Sequence, residues 1–337
     1  MVDVSVIVPT HNRRRILPQA VFSILGQQNV SLELIVVNDG STDETGAWLD
    51  RFAVTDPRVR VVHHAQPRFI SAARNAGVAV ATGHWVAFCD DDDLWAPDKL
   101  AVQLAALRVG SARWGCTGVA VVNEVLEVVG HHRVKGGDVL EGLLESNRIP
   151  TGSSVIAELD LVRKVEGFDP KLRGSEDWDL WIRLAQHSPL TAVDRPLIAY
   201  RLGRQSLSMR IDPMRAGRLA IAERYATLAT AYGVKSDEAQ HERYLAKQLV
   251  RGGQRWPAAS IFATLAFRHG RWRELPRAVG ALIAPHMLDQ VGQARAAAAV
   301  PASWRREAEL WLQPIRDAAQ PRVSHSCLEA GITEQEA

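Results

Sequence analysis

The sequence predicts an open α/β sheet flanked by helices and followed by an all-helical C-terminal region. Three observations carry this. Short β-branched apolar runs, Val4 to Val8 and Leu34 to Val37, have the character of strands buried on both faces of a parallel sheet. Between them Ile16, Leu17, Ala20, Val21, Ile24 and Leu25 recur at helical spacing. From about Ile211 onward strand signals vanish, and Ala, Leu and Arg dominate with helical periodicity.

The opening therefore reads strand, helix, strand, and the pattern repeats. Arg60 to Val62 supplies a third strand, Ser71 to Val80 a small-residue helix, and Trp85 to Cys89 a fourth strand that ends in Asp90, Asp91, Asp92 and Asp93. Pro97 is expected to start the next helix, with Leu100, Leu104 and Leu107 as its buried stripe. Residues 1–205 are read as the α/β unit and 206–318 as a helical appendage interrupted near Gly252, Pro257 and Gly270. Residues 319–337, polar and poor in periodic apolar positions, are read as a loose tail.

Composition is that of a folded globular chain: 337 residues, 47% hydrophobic and 23% charged. Forty basic residues against thirty-eight acidic ones leave a net charge of +2, which gives no footing for nucleic-acid binding. Cys89, Cys116 and Cys327 have no paired spacing, so neither a disulfide framework nor a cysteine zinc site is expected. The first strand begins almost at once, with no basic leader, and later apolar stretches are short and interrupted. The expectation is a cytoplasmic protein whose membrane contact, if any, is peripheral on the inner face.

Open α/β sheets bind ligands beyond the carboxyl ends of their strands, where Asp39 and the aspartate run both fall. Four adjacent carboxylates repel one another, and a divalent cation is an economical way to offset that; an acidic loop capping the following helix is the plainer reading. Mg²⁺ or Mn²⁺ needs only one or two carboxylates when phosphate oxygens complete the shell. Asn38-Asp-Gly-Ser41 could equally be a simple turn. Ser175-Glu-Asp-Trp-Asp179 looks like a helix start with a serine cap and acids in the first turn. His63 with His64 and His131 with His132 are adjacent pairs, which on strands point to opposite faces and do not converge on a metal.

Five segments taken together are more specific. Val6-Ile-Val-Pro-Thr-His-Asn12, Val36-Val-Asn-Asp-Gly-Ser-Thr-Asp43, Ala73-Arg-Asn-Ala-Gly77, Phe88-Cys-Asp-Asp-Asp-Asp-Leu-Trp-Ala-Pro-Asp98 and Ser175-Glu-Asp-Trp-Asp-Leu-Trp181 resemble, in order and spacing, family 2 glycosyltransferases. The resemblance covers about residues 3 to 205. It implies the GT-A fold, an inverting mechanism and a nucleoside-diphosphate sugar donor, UDP-linked in the commonest case, bound with Mn²⁺ or Mg²⁺.

Carried over by position, the resemblance assigns Pro9, His11, Asp39 and Arg74 to the nucleotide, Asp90 and Asp91 to the ribose and nearby phosphate, and Asp92 to the metal. Asp177 becomes the base that deprotonates the acceptor hydroxyl, with Glu176 and Ser153 on the acceptor side. Near Tyr200 and Arg201 the chain departs from the pattern: Gly203 stands where many members have a histidine, which leaves Arg204 as the alternative phosphate contact. The implied role is synthesis of bacterial surface polysaccharide or glycolipid on a carbohydrate or lipid-linked acceptor. A sugar nucleotidyltransferase would be expected to carry a glycine-rich loop after the first strand, where Thr10, His11 and Asn12 stand. A non-catalytic nucleotide-sugar-binding protein would not need both Asp92 and Asp177. Finally, residues 243–277 hold eight Arg or Lys against one acid, Glu274, interleaved with Trp256, Phe262, Phe267 and Trp272. That pattern suits peripheral contact with an anionic membrane.

Overall fold

The computed structural model describes residues 2–202, 211–235 and 238–319. Gly203, Arg204, Cys327 and residues 320–337 of the expected tail lie outside the described residues. Four parallel strands open the chain: β1 (Val4–Thr10), β2 (Leu32–Asp39), β3 (Val59–His64) and β4 (Trp85–Phe88). They lie side by side in the order β3-β2-β1-β4 and alternate with α1 (Leu17–Leu25), α2 (Thr45–Thr55) and α3 (Phe69–Val80). β1 is buried along its whole length, as its continuous apolar run requires.

The second half of the sheet is mixed. β5 (Leu94–Trp95), β6 (Trp114–Val122), β7 (Val128–His132), β8 (Val155–Glu158) and β9 (Leu190–Arg201) continue it in the order β4-β8-β6-β9-β5, with β7 on β6. Only β6 and β9 pair in parallel there; β8 joins both β4 and β6 antiparallel. The open, helix-flanked α/β sheet is as expected, with its parallel character concentrated in the first four strands.

α4 (Lys99–Val109) begins two residues after Pro97. Pro97 stands in the turn that leads into the helix, where Lys99 N–H donates to the Ala96 carbonyl (3.1 Å), and Gln28 N–H donates to the Pro97 carbonyl (2.9 Å). The proline thus marks the start of the helix to within two residues, as expected. Asp98 makes no cap and instead pairs with Arg195.

Apolar side chains fill both faces of the sheet. Ile7, Val37, Phe88, Trp114, Phe168 and Trp181 pack on one side; Val6, Val8, Leu17, Val21, Leu34 and Trp95 pack on the other. Gly77 in α3 presses directly on β1, for a Cβ there would lie 2.5 Å from Ile7 Cγ2. That close approach explains why the Arg-Asn-Ala-Gly segment ends in glycine.

After α5 (Leu140–Glu145), α6 (Leu159–Lys164) and α7 (Glu176–Ala185), the described chain is helical from α8 (Ile211–Arg224) to α14 (Ala302–Ala319). Between them run α9 (Ala226–Ala231), α10 (Glu238–Arg251), α11 (Arg255–Arg268), α12 (Leu275–Ile283) and α13 (Pro285–Ala298). α10 to α12 share an apolar cluster built on Leu245, Leu249, Phe262 and Leu265. α14 returns to the sheet, where Trp304, Ala308 and Leu312 pack on Leu94, Ala120, Val122 and Ala199. No described helix is long and apolar enough to cross a membrane.

Candidate active site

The carboxyl ends of β1, β2 and β4 deliver three loops to one edge of the sheet. His11 follows β1 and places Nδ1 2.8 Å from the Asp39 carbonyl oxygen, while Pro9 is buried within the strand. Asp39, the last residue of β2, is nearly buried and accepts at both carboxylate oxygens. Oδ1 faces His64 Nδ1 at 2.6 Å and takes the Arg68 N–H at 2.9 Å; Oδ2 takes the Phe69 N–H at 2.9 Å. His64 was visible in the sequence only as half of a histidine pair. The β2–β3 register, which sets Asp39 beside His64, is what makes it a partner of this carboxylate.

The aspartate run wraps the end of β4. Asp91 accepts from the Thr10 hydroxyl (2.7 Å) and lies 3.6 Å from Arg13 Nε. Asp93 is fully buried and accepts from the Arg201 N–H (3.3 Å) and the Thr151 hydroxyl (3.4 Å). Asp90 N–H donates to Ser153 Oγ at 2.9 Å. Ser153 is fully buried, so it braces the aspartate loop from behind and presents no hydroxyl to an acceptor. Thr10, Arg13 and Arg201 are contributors that motif matching passed over.

Arg74 reaches across this cluster. Its Nη2 donates to Asp90 at 2.7 Å and its Nη1 to Glu176 at 3.3 Å, while the guanidinium lies 5.0 Å over the Phe168 ring. Asp90, Arg74 and Glu176 thus form a continuous bridge from the β4 loop to the first turn of α7, which carries Asp177. Arg74 is almost wholly buried and engaged on both sides, so its first role is to join the two acidic segments.

α7 does not begin with a serine cap. Ser175 occupies the cap position in a left-handed conformation (φ 61°) and its side chain makes no capping bond. The turn is formed by Gly174 and Ser175 together, both at positive φ. The helix is held further on by Asp179, whose carboxylate accepts from Arg183 (2.6 and 2.9 Å), Arg224 (2.8 Å) and the Tyr225 hydroxyl (2.8 Å).

The electrostatics fit a site short of positive charge. Burial, reinforced by neighbouring aspartates, pushes Asp91 up to about 7, Asp92 up to about 6 and Asp93 well above the usual carboxylate range. Glu176 is pushed to about 7 by burial and by Asp177, and burial raises Asp177 against the pull of Arg74. Among the described residues no group of three or more His, Cys, Asp or Glu is arranged to hold a metal by protein ligands alone. Crowded, under-neutralised carboxylates nonetheless suit a cation held by one or two of them with oxygens of a ligand completing its shell. The Nε groups of Arg74 and Arg201 are buried without a hydrogen-bond partner in the structure.

Residues 5–150 match the model of the family described as glycosyl transferase family 2. These residues are a family 2 glycosyltransferase domain. An uncharacterized glycosyltransferase of Rickettsia felis is 31% identical over 202 residues, 59% of this chain and 33% of its own length. The chain thus spans about a third of that relative's length. Escherichia coli WfgD, a UDP-Glc:alpha-D-GlcNAc-diphosphoundecaprenol beta-1,3-glucosyltransferase, is 24% identical over 212 residues, 61% of this chain and 79% of its own. Among solved structures, S. aureus TarS 1-349 in complex with UDP aligns over 93% of this chain and 92% of its own, with a TM-score of 0.54 and 20% identity. The fold is therefore GT-A-like, a mixed curled sheet flanked by helices with a helical C-terminal region.

Proposed function

We propose that this protein is an inverting, metal-dependent glycosyltransferase that moves a sugar from a nucleoside-diphosphate sugar, UDP-linked by preference, to an acceptor hydroxyl. The observation that carries this reading is the Asp90–Arg74–Glu176 bridge, which joins the donor-side aspartate loop to the helix bearing Asp177. Donor and base sides of one displacement are held together by a buried arginine.

In this reading His11, Asp39 and Pro9 shape the nucleotide pocket, with Asp39 kept oriented by His64. Asp90 and Asp91 face the ribose and phosphates, and Arg74 lends positive potential to the diphosphate while anchoring Glu176. Asp92 would hold Mn²⁺ or Mg²⁺, which supplies positive charge for the departing diphosphate when bound. Asp177 takes the proton of the acceptor hydroxyl as its oxygen bonds the anomeric carbon. The bond from that carbon to the diphosphate breaks on the opposite face, its electron pair leaving with the nucleotide. Burial raises the basicity of Asp177, which favours this step.

The acceptor is a carbohydrate or lipid-linked glycan at the inner face of the cell membrane, in surface polysaccharide or glycolipid synthesis. Support comes from the relative named for a diphosphoundecaprenol acceptor and from the UDP-bound structure of similar fold. A thermal-shift screen of nucleotide sugars with and without Mn²⁺ tests the reading, because a ligand that binds only the folded chain raises its apparent stability. A UDP-sugar should raise the midpoint in the presence of Mn²⁺. No shift with any nucleotide sugar would overturn the proposal.

A further inference from the structure

The helical region carries an apolar stripe that its own packing leaves uncovered. In α12, Leu275, Val279 and Ile283 stand four residues apart on one face, with Val279 51% and Ile283 76% exposed. Ala278 and Ala281 on the other face pack into the cluster shared with α10 and α11. The stripe is extended at its start by Trp272, 60% exposed, whose ring meets Phe267 edge-on at 5.3 Å. Phe262, which sequence alone grouped with these aromatics, is buried in that cluster and takes no part.

At the Trp272 end of the stripe lies a cavity of about 580 Å³ lined by Arg243, Arg271, Arg273 and Arg277 against a single carboxylate, Glu274. Glu274 is buried and shared by Arg243 (2.8 Å) and Arg277 (2.7 Å), so these two guanidinium groups outnumber the carboxylate between them. Arg255, Arg268 and Arg273 are exposed and make no ion pair among the described residues. Between Gly252 and Leu288 the sequence has no acid other than Glu274.

We infer that this face docks on an anionic lipid bilayer, with Trp272, Val279 and Ile283 entering the interface and lipid phosphates seated in the arginine cavity. This deepens, and rests on, the acceptor at the membrane in the function proposed above. The charge decides the occupant. An apolar stripe flanked by arginines and lacking acids matches a negatively charged surface, whereas a second copy docked on the same face would set arginine against arginine.

Sedimentation of the full chain with vesicles tests this, using phosphatidylcholine alone and an equal mixture with phosphatidylglycerol. Binding is expected to the mixed vesicles at low salt, to fall at high salt, and to be absent with phosphatidylcholine alone. Arg271→Gln with Arg273→Gln should weaken it about tenfold or more, and Trp272→Ala with Ile283→Ser should weaken it at either salt. All of these side chains line the surface, and the donor-induced thermal shift of both variants should equal that of the unaltered chain. That shift reports on the donor reading separately, so either proposal can fail alone. Equal binding to neutral vesicles, no binding at low salt, or variants that bind like the unaltered chain would overturn the inference. So would self-association that the Trp272→Ala, Ile283→Ser variant abolishes, which would assign the face to a second copy.

Discussion

Gly217 of α8 packs backbone to backbone on Gly174, so closely that a Cβ at position 217 would lie 2.0 Å from the Gly174 carbonyl oxygen. Gly174 and Ser175 form the left-handed turn that starts α7, and Asp177 follows two residues later. The first helix of the C-terminal region thus sets where the proposed base stands. Gly217→Ala should push α8 off this turn, at a cost of about 1–3 kcal/mol for overpacking. The expected outcome is a lowered unfolding midpoint and reduced turnover, with donor affinity in Mn²⁺ unchanged. Weakened donor binding would place the effect elsewhere.

Asp179 secures the same helix from its side. Its buried carboxylate serves Arg183, Arg224 and Tyr225; Asp179→Ala removes that shared acceptor, leaving Arg224 on Asp169, Arg183 on the Val165 and Gly167 carbonyls, and the Tyr225 hydroxyl without it. Losing hydrogen bonds to a charged acceptor costs about 1–3 kcal/mol, and denaturant unfolding should register a loss of that order. Asp179→Asn keeps an acceptor oxygen and should lose less. Equal loss in the two variants would mean that the charge, which both lack, carries the effect and not the acceptor oxygen.

Lys99, the first residue of α4, is fully buried beneath Trp95, its ammonium 3.7 Å from the ring centroid, with Gln103 Oε1 at 2.8 Å. Burial pushes its amine down to about 7, and the nearby Cys89 and Cys116 thiols, themselves raised by burial, supply no anion at neutral pH. Because the folded-state pKa lies below the unfolded one, the unfolded chain binds the extra proton between about pH 7 and 10.5. The destabilisation is full below that window and fades as pH rises through it. Lys99→Met should therefore gain stability relative to the unaltered chain on going from pH 9 to pH 7, by on the order of 2 kcal/mol. A difference in stability that does not vary with pH would mean that the amine keeps its ordinary pKa.

The first half of the fold was legible because burial on both faces writes a continuous apolar run, as in Val4 to Val8 and Leu34 to Val37. The β6–β9 pairing was not, since non-consecutive strand order leaves no local trace. The aspartate run and Asp177 stood out through motif order. His64, Thr10 and Arg201 reach the site through strand register and a return of the chain more than a hundred residues later, which spacing does not encode. Ser175 shows a local signal overruled: a left-handed backbone replaces the serine cap.

Asp92 lies on a loop beyond β4, and burial beside Asp90 makes its charge costly when no cation is present. Asp92→Ala should leave the fold intact and weaken Mn²⁺-dependent donor binding. Loss of groups that merely orient metal ligands costs about 10–100-fold in affinity, and a direct ligand should cost at least that. Titration calorimetry of a UDP-sugar with and without Mn²⁺ measures it. Donor affinity in Mn²⁺ equal to that of the unaltered chain would remove Asp92 from the metal site.

Asp177→Asn separates binding from chemistry. The amide keeps the shape of the side chain and can still accept from the Trp178 N–H, which Asp177 Oδ1 now does at 2.7 Å, so the first turn of α7 should persist. What it cannot do is take a proton from an attacking hydroxyl. A positioned general base contributes about 10²–10⁴-fold to rate, and turnover should fall by that factor while the donor dissociation constant in Mn²⁺ stays the same. Glu176 is a rival close by, and its carboxylate, pushed to about 7 and held by Arg74, is poised to titrate near neutrality. The Glu176→Gln variant, measured in parallel, discriminates the two: if it loses more turnover than Asp177→Asn at equal donor affinity, the base is Glu176 and Asp177 only orients the turn.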